Sequence, residues 1–204
     1  ADGVVKGVAP KSNLVVVKVC DSNGNCLGSD ILAGLDWCIS NRETYSISVI
    51  SISLGDKLEH SQSECPTYFD SALQTAYNQG IFIAAASGNE GYSNGINYPA
   101  CSQYTTSVGA TDKNDNLASY TNKGDTLDVL APGTGIYSTY LGDSYLTMSG
   151  TSMSTPHVAG AAAILFQQAE LNSETKTPAE IESQLKETDV EIASTPRIDL
   201  VNAS

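Results

Sequence analysis

An α/β fold on a mostly parallel sheet is the architecture this sequence predicts, and three observations predict it. Apolar, β-branched runs of strand length alternate with stretches of helical periodicity along the whole chain, as βαβ units do. Ile81-Phe82-Ile83-Ala84-Ala85-Ala86 is continuously apolar, and Leu14 to Val19 nearly so, as strands covered on both faces are. No repeat or linker interrupts the series, so residues 1–204 read as one domain, long enough for one sizeable core.

Leu14-Val15-Val16-Val17-Lys18-Val19 follows the breaker Pro10-Lys11-Ser12-Asn13 and reads as a buried strand of that sheet. Over residues 30–41, Ile31, Leu32, Leu35, Cys38 and Ile39 recur at helical spacing, with Ser29 or Asp30 as the cap. Residues 48–55 form a second buried strand, and 56–67 a polar loop. A helix over 68–78 carries Phe69, Leu73, Ala76 and Tyr77 on one side and stops at Gly80. Strands follow at 81–86, 106–111 and 127–133, and a hairpin around 140–145. A long helix then starts near Gly150 and runs to about Leu171; after Pro156 it is small and apolar, as in a helix packed on all sides. Thr177 caps a last helix to about Glu187 with Pro178 at its first position, and residues 197–201 close the chain as a short strand.

Ten Lys and Arg stand against 23 Asp and Glu, a net charge of -13. That balance disfavours nucleic acid and anionic membrane as partners, because a phosphate-binding face needs clustered cations. No apolar run reaches the ~18–20 residues needed to span a bilayer. The chain opens at Ala1-Asp2-Gly3 without a basic-plus-apolar leader, which fits a cytoplasmic protein or the trimmed product of a precursor. Five cysteines favour the second, a processed product in an oxidising, extracellular setting. Cys65 and Cys101 each adjoin a loop and can bridge. Cys20 and Cys26 flank a turn signal that can bring them together, and Cys38 reads as a buried free thiol.

The chemistry gathers at Gly150-Thr151-Ser152, where a tight turn delivers a hydroxyl to the first turn of a buried helix. Thr151 or Ser152 can cap that helix, and the positive end of its dipole favours negative charge developing beside it. A serine at a helix start is most simply a cap. The full run Gly150-Thr151-Ser152-Met153-Ser154-Thr155-Pro156-His157-Val158-Ala159-Gly160 says more. It resembles the nucleophile motif of the subtilases, the subtilisin-like serine proteases.

The resemblance implies a subtilisin-like three-layer fold, with Ser152 as the attacking serine and His157 on the helix behind the site. Ala85-Ala86-Ser87-Gly88-Asn89-Glu90-Gly91 resembles the family's oxyanion segment. It implies that the Asn89 side-chain amide and the Ser152 backbone N–H hold the tetrahedral oxyanion. One such donor stabilises a transition state by ~3–4 kcal/mol, a magnitude taken over from a subtilisin. Ser53-Leu54-Gly55 looks like the segment along which the substrate strand pairs. Ala86, Ser87 and Gly88 would wall the pocket, Asn97 reach its floor and Glu90 sit at its rim. The competing reading of these strand-end residues is close packing alone.

A serine nucleophile needs a base, and the base an orienting acid. Subtilases take both from an Asp-Thr/Ser-Gly strand end and a His-Gly-Thr-His-Val-Ala-Gly helix, and neither motif occurs in this sequence. The likeness therefore spans nearly the whole chain but only about the last two-thirds to three-quarters of a family catalytic domain. His157, five positions after Ser152, lies roughly 140° around the helix from it and should point into the core. His60 falls in a surface loop, a poor base. A parallel sheet without its upstream strands would leave an apolar edge open, so a companion N-terminal segment carrying the catalytic Asp and His is expected. The chain alone should be inactive toward peptide or protein substrates. The rival reading is a catalytically silent subtilase-fold module for peptide binding or regulation. No cofactor and no catalytic metal is required. Residues 21–25 and 112–116 read equally as turns or as loops for a structural calcium ion.

Overall fold

The structure, a computed structural model, describes residues 5–187 and 190–199. Along the chain run α1 (Gly28–Ser40), α2 (Arg42–Tyr45), β1 (Val49–Ile52), a 3₁₀ turn (Gln62–Glu64), α3 (Asp70–Asn78), β2 (Phe82–Ala86), β3 (Thr106–Thr111) and β4 (Val129–Pro132). The hairpin β5 (Ile136–Tyr140) and β6 (Ser144–Met148) leads into α4 (Thr151–Leu171) and α5 (Pro178–Lys186). A two-residue pair, β7 (Glu191–Ile192) and β8 (Thr195–Pro196), closes the described chain.

β1 to β4 lie in sequence order in one sheet, every neighbouring pair parallel. β2 shows how the sheet divides the core. Ile83 and Ala85 point into a cluster with Leu35 of α1 and Leu73 and Ala76 of α3. Phe82 and Ala84 point the other way, onto Val158, Ala161 and Leu165 of α4 and Ile181 and Leu185 of α5. A strand buried on both faces has no reason to alternate polar and apolar residues. The result is three layers, with α1 and α3 on one face of the sheet and α4 and α5 on the other. Among the described residues, no helix is long and apolar enough to cross a membrane.

Residues 14–19 are the main departure from expectation. They are extended but belong to no strand. Leu14 and Val16 are 86% and 89% exposed. The segment rests on α1 by its other side: a Cβ added at Gly34 would come within 2.6 Å of Val19 Cγ1 and 3.4 Å of Val17 Cγ1. β-branched residues favour extended backbone, but a ladder and burial both require a neighbouring strand, and none lies beside this segment among the described residues.

Smaller corrections concern the ends of elements. α1 starts at Gly28, and its N-cap is Leu27 rather than Ser29 or Asp30. α3 starts at Asp70, two residues later than its apolar pattern suggested. α5 begins with the expected Thr177 cap, completed by Glu180 into a capping box. At the C-terminal end, Arg197 bridges to Leu130 and Ile198 N donates to Leu130 O; residues 200 and 201 of the expected closing strand lie outside the described residues. Cys20–Cys26 and Cys65–Cys101 are disulfides. Cys38 is free but only half-buried, and burial raises its thiol pKa.

Candidate active site

The carboxyl ends of β1 and β2 and the head of α4 meet at one place. Gly150 precedes α4 with φ 156° and ψ 161°, a conformation that side chains beyond glycine rarely adopt. The expected self-cap does not form: Thr151 and Ser152 are the first two residues of the helix itself. The cap comes from another element. Asn89 Oδ1 accepts from Thr151 N at 2.8 Å and from Thr151 Oγ1 at 3.2 Å. A backbone N–H can only donate, so the oxygen of the Asn89 amide is its anchored end and the NH₂ is left free.

Ser152 and Ser53 exchange two bonds across the cleft. Ser152 Oγ donates to Ser53 O at 3.3 Å, and Ser53 Oγ donates to Ser152 O at 3.0 Å. The second bond has a cause inside the helix. Pro156 stands four residues after Ser152 within α4 and has no N–H to give back, so the Ser152 carbonyl lacks its usual helical donor. The Ser53 hydroxyl fills that vacancy. As one of the first residues of the helix, Ser152 also has an N–H with no intrahelical acceptor. A hydroxyl and an unsatisfied N–H thus share one residue, with the Asn89 amide anchored next to it.

Ser53 and Gly55 are exposed and Leu54 is half-buried, whereas Ala86, Ser87 and Gly88 are buried. Asn97 sits between the two segments and is buried. Its Nδ2 donates to Leu58 O at 3.0 Å, and its N donates to Ser87 O at 2.9 Å. A Cβ at Gly55 would lie 2.9 Å from Asn97 Cβ, and one at Gly88 would lie 2.2 Å from Asn97 Oδ1. Both glycines are required by that approach. Glu90 is exposed, and its Oε2 accepts from Asn89 N at 3.0 Å and from Asn122 Nδ2 at 2.8 Å.

Neither histidine is bonded to Ser152. His157 Nδ1 lies 2.8 Å from Met153 O, one turn back on α4. His60, half-buried rather than on the surface, places Nε2 2.7 Å from Asp56 Oδ2. Asp56 Oδ1 meanwhile accepts from Leu58 N and Tyr98 N.

A family model described as "Subtilase family" matches residues 1–198. The chain belongs to the subtilase family. It is 40% identical over 191 residues to Subtilisin BL of Lederbergia lenta, covering 94% of this chain and 65% of that protein. It is 39% identical over 183 residues to the Minor extracellular protease Epr of Bacillus subtilis (strain 168), covering 90% of this chain and 26% of that protein. Among solved structures, a cold adapted subtilisin-like serine proteinase superposes with a TM-score of 0.80 at 32% identity, over 95% of this chain and 67% of that one. The chain thus spans less than two-thirds of the length of these two curated relatives.

Sequence reading missed Asn122, which no motif or periodicity marks. It is fully buried and packs behind the subtilase segment that bears Asn89: a Cβ at Gly88 would lie 2.1 Å from Asn122 Nδ2. Residues 21–25 and 112–116 each close a hydrogen-bonded turn, Gly24 N donating to Asp21 O and Asp115 N to Asp112 O. Asp21 Oδ1 accepts from Asn23 N and Asn25 N, and Asp112 Oδ1 from Asn114 N and Asn116 N. The Asn25 backbone N–H foremost for Asp21, and the Asn116 side-chain amide foremost for Asp112, hold both carboxyl groups below their ordinary pKa. Among the described residues, no group of three or more His, Cys, Asp or Glu is gathered for a metal.

Proposed function

We propose that this chain is the nucleophile-bearing portion of a secreted serine endopeptidase, a single catalytic domain completed by an upstream segment. The observation that carries the reading is the Asn89 amide, anchored by the Thr151 N–H beside the Ser152 hydroxyl at the head of α4. A peptide-binding role does not require that pair. Ser152 Oγ would attack the scissile carbonyl and form an acyl-enzyme, which water then hydrolyses. The free Asn89 Nδ2 and the Ser152 N–H would hold the oxyanion. Ser53, Leu54 and Gly55 would pair with the substrate backbone, while Ala86, Ser87, Gly88 and Asn97 shape the pocket beside it.

The base and its acid would come from the companion segment. In its absence Ser152 Oγ spends its proton on the Ser53 carbonyl, and both histidines have other partners. The open flank of residues 14–19 offers that segment an apolar seat. The "extracellular" in the name of one relative and two disulfides support a secreted product. The chemistry needs no cofactor; a bound calcium ion would be structural, and EDTA would then lower the melting temperature.

The test is complementation. Mixing this chain with its upstream Asp- and His-bearing segment should give amidase activity on a peptide substrate, abolished by Ser152→Ala. The silent-module reading has one observation in its favour, the absence of an imidazole at Ser152. A folded mixture that binds peptide but never cleaves it would establish that reading.

A further inference from the structure

We propose that Asn122 is a positioning residue for the oxyanion donor: it holds the turn carrying Asn89 so that the Asn89 amide is aimed at Ser152. This rests on the reading of Asn89 as that donor. Asn89 is exposed, and its side chain is tied at the oxygen to Thr151. The direction of its NH₂ therefore depends on the backbone from residue 87 to residue 92. That backbone is tied to the sheet by Ser87 N to Val108 O and to α4 by Gly88 N to Thr151 Oγ1, but the residues that flank Asn89 are held chiefly by Asn122.

A side-chain amide can accept two hydrogen bonds and donate two, and Asn122 uses all four on this one turn. Its Oδ1 accepts from Glu90 N and from Tyr92 N, both at 3.0 Å. Its Nδ2 donates to Ser87 O at 3.1 Å and to Glu90 Oε2 at 2.8 Å. That same Glu90 oxygen accepts from Asn89 N at 3.0 Å, so the backbone of the donor residue is reached through one carboxylate. Asn122 N adds a fifth bond, to Gly88 O at 3.2 Å. Gly88 has a φ of 110°, open to glycine but strained for other residues, and this lets the turn close around the Asn122 side chain.

The brace is itself fixed to the sheet. Thr121 Oγ1 donates to Ala110 O and accepts from Ala110 N, each at 3.1 Å, on β3. Gly91 N donates to Tyr120 O and Lys123 N to Tyr92 O. Tyr120 OH donates to Gly133 O at 3.1 Å, the same carbonyl that accepts from Gly150 N at 2.9 Å. Residues 120–123 thereby connect the two halves of the site, the Asn89 turn and the residue that starts α4. A buried amide with every bond satisfied is rigid, and an oxyanion donor works only if it needs no reorganisation during the reaction.

The test uses the protease assembled with its upstream segment. Asn122→Ala should lower kcat on a peptide amide by about 10- to 100-fold, the scale of a misplaced catalytic group, with KM little changed. The double variant Asn122→Ala/Asn89→Ala should fall no further than Asn89→Ala alone, because the brace then has nothing to aim. Losses that multiply, or an effect on KM or thermal stability alone, would overturn the proposal. Glu90→Ala cuts the link between the Asn122 amide and Asn89 N at an exposed residue and should also lower kcat. A loss of kcat in Glu90→Ala that disappears in the Asn89→Ala background supports the proposal even if Asn122→Ala does not fold, and an unchanged kcat counts against it. If Asn89→Ala leaves kcat intact while Ser152→Ala silences the enzyme, the oxyanion assignment fails and takes this proposal with it. If Asn89→Ala lowers kcat and Asn122→Ala does not, only the proposal falls.

Discussion

Residues 81–86 and residues 14–19 are both short apolar runs of the kind that builds parallel sheets, yet they occupy opposite surroundings. Ile81 to Ala86 are buried throughout, and β2 is laddered by β1 on one side and β3 on the other. Residues 14–19 touch α1 through Val17 and Val19 and turn Leu14 and Val16 to solvent. Composition set the extended backbone in both. Only a neighbouring strand converts such a run into core.

That contrast is most easily broken by core truncation. Phe82→Ala should destabilise the chain by about 3–5 kcal/mol, as loss of a large buried ring does. Val16→Ala should stay within about 0.5 kcal/mol in the chain alone. Urea unfolding of each variant, repeated with the upstream segment added, checks both halves: the Val16 cost should grow only in the assembly. A full Val16 penalty in the isolated chain would erase the distinction.

The two disulfides repeat the contrast covalently. Cys65–Cys101 joins the buried cluster and closes a separation of 36 residues, while Cys20–Cys26 follows the open segment and closes 6. On loop entropy alone their removal should cost about 4 and about 2 kcal/mol respectively, read from the melting of each double-serine variant.

Replacing Leu14 and Val16 together with serine should weaken capture of the upstream segment about 100-fold or more, since each buried aliphatic side chain contributes about 1.5–3 kcal/mol. Titration calorimetry measures this. Unchanged affinity would move the seat elsewhere on the surface.

The smallest effect concerns the twin turns. Asp21 and Asp112 have folded pKa values below the ordinary 3.8, so the stability each contributes is whole above that pH and is lost as pH falls through the lower folded value. Asp112→Ala should flatten the drop in melting temperature between about pH 4 and pH 2 more than Asp21→Ala, because the Cys20–Cys26 bridge still closes the first turn. Equal flattening would mean the bridge gives no support.

The site was legible where its chemistry is local. Gly150-Thr151-Ser152 and Ser87-Gly88-Asn89 are contiguous runs whose residue types already state a sharp turn, a hydroxyl and an amide. The strands of the parallel sheet at 49–52, 82–86, 106–111 and 129–132 were legible for the same reason, since buried strands keep their character along the chain. What escaped reading depends on partners far off in sequence. The cap of α4 is Asn89, 62 residues away, and the brace Asn122 acts on Glu90 from 32 residues away. The free Ser152 carbonyl follows from Pro156, but that Ser53 would occupy it is a fact of packing.

The central claim is that the Ser152 hydroxyl awaits an imidazole from outside these residues. The most direct measurement is the rate at which a fluorophosphonate labels Ser152 in the folded chain, alone and with the upstream segment. Rapid labelling only in the assembly is the predicted result. Equally rapid labelling of the chain alone, lost in Ser152→Ala, would contradict it.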